Sequence, residues 1–150
     1  MKSLSRYDRL RLENQLCFPL YASSRAVVNR YKPLLDPLGL TYTQYITMMA
    51  LLESGTLTVK ELGGKLHLDS GTLTPLLKKL EAQGIVRRER SRTDERSVIV
   101  HLTERGVALR EEAVMVPEKM AECIPISGKD AKELMRILSL LLRETDKDPD

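Results

Sequence analysis

LDSGTLTPLLKKLEAQGIVRRERSRTDERSVIVHLTERG, residues Leu68 to Gly106, reads as a helix, a tight turn and two short strands in that order. Leu73, Leu76, Leu77 and Leu80 recur at i, i+3, i+4 and i+7, a single apolar stripe on the helix. Asp69 or Ser70 can cap its start, and Gly84 supplies a stop. Ile85 to Arg90 and Ser97 to Leu102 read as strands, the second alternating Val98, Val100 and Leu102 on one face. The charged run Ser91 to Arg96 between them forms the hairpin tip. Just upstream, Thr58 opens another short helix, Val59 to Leu66, with Glu61 three residues on as a capping box. Two short helices joined by a turn make a helix-turn-helix, and a β-hairpin directly after the second helix is the order of a winged helix.

Outside this block the pattern is helical. Leu12, Leu16, Leu20 and Val27 suit a first helix from roughly Tyr7 towards Leu35, with a bend beside Cys17 or a helix start close to it, because Pro19 removes a hydrogen bond there. Pro33 and Pro37 close the segment. Thr43 is expected to cap a second helix that buries Ile46, Met49, Ala50 and Leu52 and stops at Gly55. Thr103, Glu104 and Gly106 open a long helix to about Cys123, interrupted by Pro117. Ser127 and Asp130 start a last helix whose Leu134, Ile137, Leu138, Leu141 and Leu142 form an apolar stripe. The expectation is a mainly α chain with a small β-hairpin, one unit over 1–150. Residues 43–103 form the winged-helix part, and 7–37 with 104–145 form a helical dimerisation part. The alternative is that these terminal helices pack on their own subunit. The tail Asp146 to Asp150 reads as frayed.

With 42% apolar and 30% charged residues the composition is globular, and 150 residues suit one core. The longest uncharged run, Pro37 to Leu52, has 16 residues and contains Thr, Tyr and Gln, too short and polar to cross a bilayer. Charged residues precede any apolar stretch at the N-terminus, so no signal peptide is expected, and the chain reads as cytoplasmic. The net charge is only +3, yet Lys60 to Arg96 carries nine basic and six acidic residues, and so holds the whole excess. Such a local basic cluster fits a nucleic-acid footprint, although by charge alone it reads equally as a solvated hairpin. Cys17 and Cys123 have 105 residues between them and only His67 and His101 as further soft ligands, so no metal site and no cofactor are expected.

The run Leu68 to Gly106, with Asp94-Glu95-Arg96 in its hairpin, strongly resembles the MarR family of winged-helix regulators. ENQLCFPLYASSR (Glu13 to Arg25), RYKPLL (Arg30 to Leu35) and LTYTQY (Leu40 to Tyr45) resemble the OhrR branch, the organic-hydroperoxide sensors. The resemblance spans roughly Leu10 to Leu142. It implies a homodimeric repressor that binds an inverted-repeat operator in double-stranded DNA until an organic hydroperoxide oxidises Cys17. It further implies that Tyr31 and Tyr42, with Tyr21 as a third, donate hydroxyl hydrogen bonds to the thiolate. Cys123 matches a second cysteine that, in some members, forms a disulfide with the sensing cysteine of the other subunit.

The chemistry asks for these residue types. A thiolate attacks an O–O bond far better than a thiol, and an ordinary thiol with pKa about 8.5 is only a few per cent ionised at pH 7. No Lys, Arg or His lies within four residues of Cys17, so donors must come from elsewhere in the fold. Leu16, Phe18 and Leu20 could enclose the thiol in an apolar pocket that favours alkyl or lipid hydroperoxides over hydrogen peroxide. Alternatively Cys17 is a small buried hydrophobe, and the tyrosines are rim residues of the core, as Tyr45 is expected to be. For DNA, Ser70, Gly71 and Thr72 would offer backbone N–H groups to a phosphate, while Thr72, Thr74 and Pro75 face base edges. Lys78 and Lys79 would contact phosphates. Arg96, held by Asp94, would enter the minor groove, with Arg87, Arg88, Arg90 and Arg92 adding nonspecific affinity. Two other functions fit the same residues less fully: a MarR-type regulator of a small aromatic ligand, with Cys17 incidental, and a thiol peroxidase in which Cys17 turns over.

Overall fold

Capping decides where most helices begin. In the computed structural model, which describes residues 5–145 and side chains up to Arg143, helix α1 spans Cys17–Leu35 and α2 spans Tyr42–Ser54. A two-residue strand β1 (Leu57–Thr58) leads into α3 (Val59–Leu66), then α4 (Ser70–Ala82) and the hairpin β2 (Val86–Arg90) and β3 (Val98–Leu102). Short helices α5 (Glu104–Ala108), α6 (Arg110–Ala113) and α7 (Val116–Cys123) precede a long α8 (Gly128–Thr145). The tail expected to fray lies outside the described residues.

The winged-helix expectation holds. Thr58 and Glu61 form the capping box of α3, and the Asp69 carboxylate caps α4 by accepting from the Thr72 N–H at 2.8 Å. All four leucines of the α4 stripe are buried, and Gly84, at φ 71°, turns the chain into the wing. The sheet order is β1-β3-β2, all antiparallel, with Val86 opposite Leu102 and Leu57 opposite Val100. The hairpin was legible; β1, two residues long, was not. Thr103 ties the wing base to α5, donating to the Gly84 carbonyl at 2.6 Å and accepting from the Gly106 N–H at 3.1 Å. Gly106 is buried so tightly that a Cβ would lie 2.1 Å from the Ile85 carbonyl oxygen.

Three details differ from the sequence reading. The first helix does not run from Tyr7. Two 3-10 turns, Asp8–Leu10 and Leu12–Asn14, lead to a start at Cys17, which puts Pro19 in the first turn where its missing N–H costs nothing. The cap of α2 is Thr41, in a capping box with Gln44, rather than Thr43. With that start, α2 buries Gln44, Tyr45, Thr47, Met48, Ala50 and Leu51, while Met49 is exposed and Ile46 and Leu52 are half-buried. The long fifth helix breaks before Pro117, at Leu109 and again at Val114–Met115, the second because proline fits the first turn of a new helix better than the middle of an old one.

The core lies between α2, α3, α4 and the wing, closed on one side by the end of α1 and by α7. The stripe on α8 does not join it. Leu134, Ile137, Leu141 and Leu142 are exposed on the single chain, and so are Leu10, Leu12 and Leu16 at the other end. The end of α1 thus packs on its own subunit against α2 and α7, while the apolar stripe of α8 is left open on the single chain.

Candidate sensor and DNA-binding site

Cys17 is the first residue of α1 and is exposed. Helix ends carry backbone N–H groups without intrahelical partners, which are donors for an anion. The flanking Leu16, Phe18 and Leu20 are exposed too, so within one chain they form no pocket around the sulfur. Tyr21, one turn further on, is exposed, and its hydroxyl accepts from Arg25 at 2.9 Å, with that guanidinium 5.6 Å above the ring.

Tyr31 and Tyr42 come together, but not around Cys17. Their ring centroids lie 4.8 Å apart, and Tyr45 completes a cluster 6.0 Å from Tyr31. Tyr45 is buried, as a core residue should be, while Tyr31 and Tyr42 are half-buried. Burial, helped by neighbouring Tyr42, pushes the Tyr31 phenol above its ordinary range, so it stays a protonated donor. Tyr31 lies fourteen positions after Cys17 on one continuous helix, about 21 Å at 1.5 Å per residue. No bending of a side chain spans that distance. A mainly apolar hollow of about 410 Å³ opens beside Tyr45, lined by Met48, Met49 and Leu52 of α2 and by Val114 and Pro117, with Arg110 and Glu111 on its wall.

Cys123 ends α7 and is exposed. Its carbonyl accepts from Arg30 Nη1 at 2.6 Å, which ties the end of α7 to α1 next to Tyr31. Sequence spacing gave no hint of this contact across 93 positions. Two glutamines were also overlooked. Buried Gln44 accepts from the Thr41 N–H at 2.9 Å and donates to Gln83 Oε1 at 3.4 Å, and Gln83 donates to the Gly39 carbonyl at 2.9 Å. The start of α2, where Tyr42 sits, is thereby joined to the end of α4.

On the opposite side, a cleft of about 580 Å³ lies between α3, α4 and the wing. Ser70 and Thr74 of α4 line it with Lys60, Arg88 and Arg96; Lys60 is an addition to the residues singled out by sequence. Gly71, Thr72, Pro75, Lys78 and Lys79 are exposed on α4. Three expected roles change. The Thr72 N–H is taken by the Asp69 carboxylate, which also accepts from the Thr72 hydroxyl at 2.9 Å, so this helix start offers an acidic cap rather than a phosphate seat. Asp94 does not hold the Arg96 guanidinium. Being short, its carboxylate folds back on the turn, accepting from the Arg96 backbone N–H at 3.1 Å and the Ser97 hydroxyl at 2.7 Å. Arg88 is not a free cation but is clamped by Glu81. Arg87, Arg90, Arg92 and Arg96 are exposed around the wing.

A family model of the SarA/Rot transcriptional regulators matches residues 29–113, more than half of the chain. The organic hydroperoxide resistance transcriptional regulator of Bacillus subtilis is 52% identical over 138 residues, covering 92% of this chain and 94% of the relative. This chain belongs to the SarA/Rot and MarR-type winged-helix transcriptional regulators. Among solved structures the regulator is similar to reduced AbfR bound to DNA, at 35% identity and a TM-score of 0.77, covering 93% of this chain and 98% of that one. It is also similar to disulfide-formed AbfR, at 38% identity and a TM-score of 0.63, covering 91% and 96%. AbfR is a Staphylococcus epidermidis protein. The MarR-type, OhrR-like resemblance of the sequence is borne out. Among the described residues of the regulator, no helix is long and apolar enough to cross a membrane.

Proposed function

We propose that the regulator is a cytoplasmic, dimeric repressor that releases its operator when an organic hydroperoxide oxidises Cys17. The observation that carries this reading is the separation of Cys17 from Tyr31 along one helix, together with the apolar faces left open at both chain ends. The sensor is complete only when the start of α1 in one protomer meets the Tyr31–Tyr42 pair of the other. Residues 7–37 and 104–145 supply that dimer contact, and 43–103 bind DNA.

The chemistry runs in two balanced steps. The Cys17 thiolate attacks the distal peroxide oxygen, the O–O bond breaks, and after protonation the products are Cys17 sulfenic acid and an alcohol. The thiol of Cys123 in the partner subunit then attacks that sulfur, forming a disulfide and releasing water. Tyr31 and Tyr42 donate to the sulfur anion before the first step. The mainly apolar hollow beside Tyr45 gives an alkyl group a seat, which favours organic over hydrogen peroxide. Tyr21, one helical turn from Cys17, supplies a further hydroxyl from the same chain. Each oxidation uses the sensor once, so Cys17 acts as a switch and not as an enzyme's turnover nucleophile.

On DNA, α4 enters the major groove with Ser70, Gly71, Thr72, Thr74 and Pro75 towards base edges, while Lys78, Lys79 and Lys60 meet phosphates. Arg96 reaches the minor groove from the wing. A two-fold dimer reads a pseudo-palindrome with half-sites about one DNA turn apart.

The test uses a duplex selected from a random pool by the reduced protein. On adding cumene hydroperoxide, wild type is expected to release the duplex, Cys17→Ser to hold it, and a Cys123-dependent dimer band to appear on non-reducing gels. Release by Cys17→Ser equal to wild type overturns the redox reading in favour of a regulator that answers to a bound ligand.

A further inference from the structure

Helix α4 and the wing leave the turn at Gly84–Ile85 and diverge, so the distance between them decides whether both can engage DNA at once. At the turn itself the Gly84 and Ile85 N–H groups close the helix end on the Glu81 and Leu80 carbonyls, both at 2.9 Å, and Thr103 ties the strand base, so beyond the turn the spacing falls to side chains. Glu81 in the last turn of α4 reaches across to β2. Its Oε1 accepts from the Arg88 backbone N–H at 3.1 Å, and its Oε2 accepts from Arg88 Nε at 3.0 Å and Nη2 at 2.6 Å. Holding the carboxylate by backbone and side chain together leaves one geometry, as a planar guanidinium fork on a carboxylate should. Arg88 also lines the cleft between the two elements, so the pair sits at the hinge of the DNA-facing gap.

We propose that Glu81 and Arg88 are a positioning pair that sets the opening between α4 and the wing, so that Arg96 reaches its groove only while the pair is closed. This rests on the reading of α4 and the wing as the DNA-contacting elements. Glu81 carries a negative charge on a face that must approach phosphates. By charge alone its removal should tighten binding. As a brace, its removal should weaken binding, and the two effects have opposite signs.

The test is a double-variant comparison on the full-length reduced protein with the selected duplex, Glu81→Gln and Arg96→Ala singly and together. Glu81→Gln is expected to weaken binding about three- to fivefold, with the loss absent when Arg96 is already alanine. Glu81→Asp, which keeps the charge but shortens the reach, is expected to weaken binding in the same way. Melting followed by circular dichroism keeps a folding defect apart from a binding defect. Tighter or unchanged binding by Glu81→Gln, or an equal loss in both backgrounds, overturns the brace. A loss with Arg96→Ala but none with Glu81→Gln overturns the brace alone. An Arg96→Ala variant that binds like wild type removes the wing contact and with it the reading beneath this proposal.

Discussion

A tyrosine that steadies a thiolate must keep its own proton, and Tyr31 is placed to do so: half-buried against Tyr42, its phenol is held above the ordinary value of 10.0. Replacing it by phenylalanine should slow formation of the Cys17 sulfenate about three- to tenfold, tenfold corresponding to one pKa unit of lost thiolate stabilisation. Stopped-flow trapping of the sulfenate checks this, and equal rates remove Tyr31 from the mechanism. The wing tip carries a different pH dependence. Hydrogen bonds from the Ser97 hydroxyl, then from the Arg96 backbone N–H, hold the Asp94 carboxyl below its usual range. A depressed folded value means the contribution is present above the unfolded pKa near 3.8 and fades as pH falls through the lower, folded value. Proton-exchange protection of the Arg96 amide should therefore be unchanged from pH 7 to 5 and lost only in acid below about 4. Loss already at pH 5 to 6 would mean a histidine, not Asp94, governs the tip.

At the scale of the element, helix termini and wing were legible wherever a short-range rule applied. The leucines of α4, the Thr58–Glu61 box and the alternation of β3 each declare themselves within a few residues. The start of α2 is written in the same way, as Thr41-x-x-Gln44, two residues before Thr43. What local rules could not give is contact between elements, whether across long separations, as for Arg30 with Cys123 and Gln44 with Gln83, or across a turn, as for Glu81 with Arg88. Gly106 stands between the two cases, since its position near a helix start is readable while its reason is not. An alanine there would push its Cβ into the Ile85 carbonyl at the wing base. Gly106→Ala should lower stability by about 1–3 kcal/mol and loosen α5 against the wing, measurable as a lower melting temperature. A variant that melts like wild type would show that α5 can shift freely.

For the whole molecule, the fold of one chain explains the DNA-facing half and leaves the sensing half open. Among the described residues nothing covers Cys17, Phe18 or most of the α8 stripe, and in the dimer proposed above the partner subunit does. Sequence could name the thiol and the phenols, but Cys17 and Tyr31 share one 19-residue helix, and its length is what forbids them to meet within it. That length has a genetic consequence. A cell that carries two impaired copies of the gene, one Cys17→Ser and the other Tyr31→Phe, assembles some mixed dimers. In each, one sensor has lost both groups and the other has kept both. Co-expression should therefore restore peroxide-triggered release to the mixed fraction, although neither allele responds fully alone. If thiol and phenol served each other within a chain, every sensor in the mixture would be damaged and no complementation would be seen.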